Sequence, residues 1–204
     1  MKLKKVLLAT TNAGKVKEMK RLLGFYGIDA EVPDEDLRIE EGSSSFLENA
    51  YLKAQAYWER YRKPTLADDS GLVVPALGGY PGIFSSRFYS HEYGGKEEVI
   101  ATKDDANIRK VLRLMKEVKD RRATFVAFLV LNLGYSGYWS KGECNGVILT
   151  EPKGSGGFGY DPIFQPEGSE KSMAELTPEE KDLLSHRGKA VRNLMSIIKN
   201  GGLT

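Results

Sequence analysis

An apolar run near the middle of the chain, ATFVAFLVLNL at residues 123–133, constrains the fold more than any other stretch. Its hydrophobic side chains do not alternate with polar ones, so a strand in this place would be covered on both faces. Such a strand requires packing layers above and below one sheet. The run therefore predicts a central strand, and the GYSG turn after it predicts a hairpin.

Strands and helices alternate around this run. Short apolar stretches predict strands at Val6–Ala9 and in TLADD. Residues 29–44 are expected to form an exposed loop or an irregular edge, and PALGGYPGIFSSRF is expected to be a loop rich in Gly and Pro. Together these patterns predict a mixed α/β fold, an elongated mixed β-sheet with flanking helices. Apolar residues at helical spacing and capping signals predict five helices. Two are expected around Val16–Tyr26 and around Val191–Ile198. The other three are expected from Phe46 to about Arg62 after a Ser45–Glu48 capping box, after a cap at Asp104 or Asp105, and after the Thr177–Pro178–Glu180 capping box.

The composition limits the classes of function. With 204 residues, 41% of them hydrophobic and 28% charged, the chain is expected to form one globular domain or two tightly joined ones, and we expect residues 1–204 to act as a single domain. A net charge of +2 is too mild to indicate a nucleic-acid partner. Cys144 is the single cysteine, which excludes an internal disulfide and fits a reducing cytosol. No stretch approaches the ~20 apolar residues of a membrane span. We therefore expect a cytoplasmic protein without a membrane partner.

Two adjacent carboxylates interrupt the predicted strand TLADDSGLVV. Asp68 and Asp69 would repel each other and lose hydration if both were buried. Such a pair persists beside a positive group, usually a metal ion, or where both side chains reach water. A second acidic pair, Glu40 and Glu41, precedes the Ser45 helix and could meet the first around Mg²⁺, which prefers a few carboxylates with water and phosphate oxygens. The alternative for Glu40 and Glu41 is a solvated acidic edge.

Two further stretches have both a functional and a plain structural interpretation. TTNAGK, residues 10–15, occupies a strand-to-helix turn, where backbone N–H groups and the helix dipole favour phosphate. It lacks the spacing of a P-loop, so taken alone it is also compatible with a simple turn. GSGGFGYD presents Phe158 and Tyr160 among glycines, which suits a flat ligand or, alternatively, a hairpin turn with a core aromatic.

Six motifs taken together resemble one family, the inosine/xanthosine triphosphate pyrophosphatases. They follow one another in order over nearly the whole chain: T-x-N-x-x-K, SFLENAYLKA, ADDSGL, LGGYPGIFSSR, GGFGYDPIF and AELTPEEKDLLSHRGKA. The resemblance implies Mg²⁺-dependent hydrolysis of non-standard purine nucleoside triphosphates, such as ITP, dITP and XTP, to the monophosphate and pyrophosphate. It also implies two lobes around a nucleotide-binding cleft, a homodimer, and a role in cleansing the nucleotide pool.

The same resemblance implies roles for individual residues. Asp69 would be the general base and a metal ligand, with Asp68, Glu41 and Glu40 as its neighbours in the metal site. The triphosphate would be held by Thr10, Thr11, Asn12, Ala13, Gly14, Lys15 and Lys53. Ser70 would lie beside the general base, and the base and sugar pocket would comprise Phe158, Gly159, Tyr160, Asp161, Lys181, His186 and Arg187.

Two other functions remain open at this point. One is a related house-cleaning pyrophosphatase that acts on other modified nucleotides, which a substrate panel would separate. The other is a nucleotide-binding module without catalysis. The presence of Asp68, Asp69 and Lys15 argues against the second, and an assay for pyrophosphate release in the presence of Mg²⁺ would decide between them.

Overall fold

A computed structural model describes residues 3–37, 39 and 45–201 of the chain. Glu40 and Glu41 therefore lie outside the described residues. The elements follow in the order β1 (Lys5–Leu8), α1 (Ala13–Gly24), β2 (Asp29–Glu31), α2 (Phe46–Tyr61), β3 (Thr65–Val73), α3 (Lys103–Leu114), β4 (Arg122–Asn132), β5 (Gly137–Ile148), β6 (Phe164–Pro166), α4 (Pro178–Leu184) and α5 (His186–Asn200), with 3₁₀ segments at Pro75–Leu77, Gly82–Ser90 and Asp161–Ile163.

The six strands form one mixed sheet in the order β2-β1-β3-β4-β5-β6. β1 pairs in parallel with both β2 and β3, and β5 pairs antiparallel with β6. The prediction of a mixed α/β fold is confirmed, and β4 lies inside the sheet as its apolar sequence predicted. No helix within the described ranges is long and apolar enough to cross a membrane.

The chain forms two compact units. The first comprises Met1–Asp69, Ala127–Gly142 and His186–Thr204, and the second comprises Ser70–Val126 and Glu143–Ser185. This division agrees with the two lobes that the family resemblance implied. That the whole chain acts as a single domain stays a prediction.

In the first unit, the two faces of the sheet pack against different helices. Leu8 and Leu66 belong to a core with side chains of α1 and α5, such as Leu23 and Val191. Leu7 and Ala67 belong to a second core that contains side chains of α2. Successive side chains of a strand point to opposite faces, so at residues 65–69 of β3 the even-numbered positions face α1 and α5, and the odd-numbered positions face α2.

The second unit has a core of its own, built from β3 residues such as Leu72, from Val111 of α3 and Met115 next to it, and from Phe125 and Phe164 of β4 and β6.

Several predictions about loops, the sheet edge and a helix cap are wrong. The stretch PALGGYPGIFSSRF was expected to be a loop, but it contains two 3₁₀ segments. Near the end of the second segment, the ammonium group of the fully buried Lys110 donates to the carbonyl of Phe88 at 2.8 Å.

The other corrections concern local signals. Residues 29–44 were expected to be irregular, but Asp29–Glu31 forms the short edge strand β2 by pairing with β1. Three residues carry no readable alternation, so only the partner strand defines this element. The cap of α3 is Thr102, whose hydroxyl accepts from the N–H of Asp105, and the two predicted aspartates occupy the first turn instead.

We expect Gly142→Ala to destabilise the first unit. A Cβ atom at Gly142 of β5 would collide with the carbonyl of His186 and the backbone nitrogen of Ala190 in α5, and backbone atoms cannot move aside cheaply. Overpacking of this kind costs about 1–3 kcal/mol in the free energy of unfolding. Gly24→Ala at the end of α1 is the control, because a Cβ added there would meet no atom within 4 Å. Urea titrations of both variants against wild type measure the difference, and equal stabilities would contradict the close packing of β5 on α5.

Candidate functional site

The first helix begins directly after the end of a parallel strand. Asn12 caps α1 by accepting a hydrogen bond from the backbone N–H of Lys15 at 3.1 Å, and the hydroxyl of Thr10 accepts from the N–H of Asn12 at 3.2 Å. No acidic side chain occupies the first turn of α1, and Thr11, Asn12 and Ala13 are exposed. Helix N-termini present backbone donors and a positive dipole end to anions. The predicted phosphate-binding turn thus has the geometry that this role requires.

Asp68 lies on the face of β3 that packs against α1 and α5. Its side chain is 4% exposed, and its Oδ2 accepts from Lys15 Nζ at 2.9 Å and from two nitrogens of Arg187 at 3.2 Å each. Arg187 also pairs with the buried Glu18 of α1. Four alternating charges, on Lys15, Asp68, Arg187 and Glu18, therefore join α1, β3 and α5 inside the first unit.

These ion pairs explain the protonation states of the cluster. Burial alone would raise the pKa of Asp68, but attraction to Arg187 and Lys15 and the Lys15 hydrogen bond outweigh it and hold that pKa well below its usual range. Burial would lower the pKa of Arg187, but Asp68 and Glu18 raise it above its usual range. Asp68 is therefore a carboxylate, and Arg187 is a cation, at any physiological pH.

Asp69 lies on the opposite face of β3 and is bound by α2. Its Oδ1 accepts from Lys53 Nζ at 2.7 Å, and its Oδ2 accepts from the side-chain amide of Asn49 at 3.2 Å. Asn49 and Lys53 are four residues apart, so they project from the same side of the helix. The family resemblance implied that Lys53 holds phosphate; the structure shows a largely buried lysine paired with a buried carboxylate.

The adjacent carboxylates coexist because β3 separates them. Asp68 contacts cations of α1 and α5, whereas Asp69 contacts donors of α2. Each negative charge is offset on its own side of the sheet, so the repulsion expected from the sequence is largely avoided. A metal ion is not required to explain the burial of the pair.

Asp69 is nevertheless suited to a hard cation. Carboxylate oxygens are the ligands that Mg²⁺ prefers, and Mg²⁺ commonly takes one or two of them and completes its shell with water and phosphate oxygens. Within the described part of the chain, no group of three or more His, Cys, Asp or Glu side chains is arranged to hold a metal. The donor set of the described residues thus fits a cation that arrives with a phosphate, and the contribution of Glu40 or Glu41 stays a prediction.

In the second unit, Asp161 organises the glycine-rich loop. Its Oδ2 accepts from the backbone N–H of Phe158 at 2.9 Å and from Lys181 Nζ at 2.6 Å. Lys181 Nζ also lies 5.0 Å from the centroid of the Phe158 ring, a cation–π distance. Gly157 has φ +72° and a Cβ there would collide with the Asp161 carboxylate, so this turn requires glycine. Phe158 of this loop and Lys181 of α4 are therefore held next to each other.

The two aromatic rings of this loop differ in burial. Tyr160 is 4% exposed, belongs to the core of the second unit, and donates its hydroxyl to the carbonyl of Ser85 at 2.8 Å. Phe158 is only partly buried. The core-aromatic interpretation therefore describes Tyr160, and Phe158 is the ring that a flat ligand could reach.

The remaining predicted residues divide between the units. His186 and Arg187 are buried at the start of α5 in the first unit, and Ser70 follows Asp69 in β3 but belongs to the second unit. Sequence reasoning missed three polar contacts: Glu18 to Arg187, Asn49 to Asp69, and Asp104, whose carboxylate accepts from the N–H of Gly159 at 2.8 Å. A polar residue among the apolar positions of α1 or α2 was the signal available for the first two.

Comparisons with known proteins identify the relatives of this chain. The model of the Ham1 family matches residues 6–197. The dITP/XTP pyrophosphatase of Aquifex aeolicus (strain VF5) is 56% identical over 196 residues, which cover 96% of this chain and 97% of that protein. The dITP/XTP pyrophosphatase of Escherichia coli (strain K12) is 43% identical over 212 residues, covering 98% of this chain and 100% of the relative. The solved structure of the Staphylococcus aureus Ham1 protein matches with a TM-score of 0.80 and 36% identity, covering 97% of this chain and 100% of that one.

We expect Arg187→Met to lower the free energy of unfolding by about 3–5 kcal/mol at pH 7, because it leaves Asp68 and Glu18 buried without their shared cation. The low pKa of Asp68 means that its stabilising effect in wild type is present above about pH 4 and is lost as the pH falls. In the variant, burial favours the protonated form of the two carboxyl groups. The difference in the free energy of unfolding between wild type and variant should therefore become smaller as the pH falls from 7 towards 4.

Arg122→Met is the control for this experiment. Arg122 pairs with Asp120 at the surface, and its removal should cause no measurable change at either pH. Denaturant titrations at pH 7 and pH 4 provide the comparison. If the decrease in the free energy of unfolding of Arg187→Met were small, or did not depend on pH, it would contradict the buried charge network.

Proposed function

This chain belongs to the Ham1 family, and on that premise we propose that it hydrolyses ITP, dITP and XTP to the nucleoside monophosphate and pyrophosphate, which removes these nucleotides from the pool. The observation that carries the proposal is the 56% identity to a dITP/XTP pyrophosphatase over 96% of the chain. The geometry of the first unit supports it, since an exposed helix N-terminus and a lysine-paired buried aspartate are the parts that phosphoryl chemistry needs.

The triphosphate is bound by backbone and lysine donors of the first unit. The turn from Thr10 to Gly14 offers N–H groups at the start of α1, and Lys15 and Lys53 supply positive charge. An ammonium group has three donors, so one lysine can contact a carboxylate and phosphate oxygens together. The mild net charge of the whole chain is no obstacle to binding an anion, because the cations are local.

Asp69 orients the attacking water and accepts its proton. A carboxylate whose two oxygens are both held by α2 keeps one orientation, which suits a general base. Bound Mg²⁺, with Asp69 and either Glu41 or Glu40 among its ligands, would offset phosphate charge and make the phosphorus more electrophilic. Asp68 contributes through the ion pairs that set the position of Lys15.

In the second unit, the loop around Phe158 is assigned to the purine. The partly buried ring can stack on any purine and adds affinity without discrimination. Lys181 carries only donors, so it matches the 6-carbonyl of hypoxanthine or xanthine and mismatches the 6-amino group of adenine. The contact between Lys181 and Asp161 holds that ammonium group in place. Arg187, which was also predicted to contact the base, is 2% exposed and binds two carboxylates, so we assign it a supporting role.

Two further features complete the proposal. The protein acts as a homodimer in the cytoplasm, where nucleoside triphosphates are made and used. The second candidate function is a pyrophosphatase for other modified nucleotides. It is supported by Phe158, because an aromatic ring can stack on different bases. Its discriminating result would be faster turnover of a modified pyrimidine triphosphate than of ITP or XTP in the assay below.

The first expected result is the identity of the products. Incubation of the protein with ITP and Mg²⁺ should yield IMP and pyrophosphate with little free phosphate, and ATP should be a very poor substrate. In ¹⁸O-labelled water the label should appear in IMP, because water attacks the α-phosphorus. Chromatography of the products from a panel of nucleoside triphosphates identifies the reaction and the preferred substrates, and mass spectrometry locates the ¹⁸O label. Stepwise appearance of IDP would exclude the proposed reaction.

The second expected result concerns Asp69. Asp69→Asn should preserve the fold and most nucleotide binding but reduce kcat by more than the ~10²–10⁴-fold expected for a general base alone, since a metal ligand is lost too. Lys53→Ala should mainly raise KM for ITP. The matched control is Lys63→Ala, which removes an exposed lysine paired with Glu31 and should leave both constants unchanged. If Asp69→Asn retained a tenth of the wild-type kcat, the assignment would be wrong.

A further inference from the structure

One buried amide contacts the catalytic carboxylate directly. Asn49 of α2 is 0% exposed, and its Nδ2 donates to Asp69 Oδ2 at 3.2 Å, while Lys53 donates to Oδ1 of the same carboxylate at 2.7 Å. The two donors project from adjacent turns of one helix. Each oxygen of the Asp69 carboxylate therefore has its own donor on the same rigid element.

Two donors constrain a carboxylate in a way that one cannot. The terminal torsion of an aspartate side chain is broad, so a single contact at Oδ1 would leave the plane of the group free to rotate. A lysine tip on a flexible four-carbon stem adds little angular restraint. The short Asn49 side chain, packed inside the core formed by α2 and β3, supplies the second fixed point.

Packing alone does not account for an asparagine at this position. Its neighbours on the buried side of α2 include Ala50, Ala54 and Tyr57, and an amide buried among them costs free energy unless it is hydrogen-bonded. Asparagine is also a weak helix former in a helix interior. An apolar residue would suit the core better, so hydrogen bonding accounts for the amide at this position, and one of its hydrogen bonds is the one to Asp69.

We propose that Asn49 is a positioning residue that, with Lys53, fixes the plane of the Asp69 carboxylate for attack by water on the substrate. This inference rests on the proposed function, in which Asp69 is the general base. Because misplacement of a reacting group by about 1 Å can cost roughly 10²-fold in rate, a loosened Asp69 should be a poor base even though it is still present.

The test uses Asn49→Leu, which keeps the branched shape of the side chain and removes the amide. Asn132→Leu is the matched control: Asn132 is also buried in the first unit, and it donates to a side chain of α2, Gln55, at 3.0 Å and accepts from the backbone N–H of Gly134 at 2.8 Å. For both variants, kcat and KM for ITP with Mg²⁺, the melting temperature and a crystal structure are determined beside wild type.

The expected result separates positioning from folding. Asn49→Leu should lower kcat by about 100-fold while KM changes less than roughly threefold, and its crystal structure should show the Asp69 carboxylate turned or in two orientations. Asn132→Leu can lose stability but should keep kcat near wild type. Asn49→Asp, which replaces the donor by an acceptor, should reduce kcat at least as strongly as Asn49→Leu, and Asn49→Gln, which keeps an amide donor, should recover part of it.

Other outcomes overturn the inference or the proposed function, and they can be told apart. If Asp69 keeps its orientation in Asn49→Leu, or if kcat falls equally in Asn49→Leu and Asn132→Leu, Asn49 has no positioning role. If the wild-type protein releases no pyrophosphate from ITP, the proposed function fails. In that case the crystal structures still decide whether Asn49 orients Asp69.

Discussion

The site depends on the alternation of side chains along β3. Two neighbouring carboxylates can be buried together only because a strand directs them to opposite faces, where different helices supply the cations. A shift of register by one residue would exchange their environments and would place Leu66 and Ala67 against the wrong cores as well. The hydrophobic pattern of the strand and the placement of its charges therefore enforce the same register.

The two carboxylates consequently have different roles. Asp68 is held by Lys15 and Arg187, and through Arg187 it is linked to Glu18, so it connects the N-terminal end of α1 with α5. Asp69 is held by Lys53 and by the neutral amide of Asn49, and it is the carboxylate that we propose as the base acting on water.

The candidate site also shows where resemblance and geometry add to each other. Similarity over nearly the full chain indicates the reaction, but it assigned Phe158 and Tyr160 to one pocket without distinguishing them. Burial distinguishes them, since Tyr160 belongs to the core and donates to Ser85, while Phe158 remains partly accessible beside Lys181. Arg187 is a similar case, because its buried ion pairs favour a supporting role over direct contact with a base.

What the sequence determined by itself is local. The Thr177–Pro178–Glu180 box, the Ser45 cap and the apolar run of β4 were readable because capping and burial patterns depend on residues within about four positions of one another. The order of motifs also identified the family. Tertiary structure alone decided the partners of Asp68, since Lys15 and Arg187 lie 53 and 119 residues away, and the existence of the edge strand β2, which only β1 defines. Such contacts follow from how strands and helices pack in space, so the spacing of residues within one segment cannot predict them.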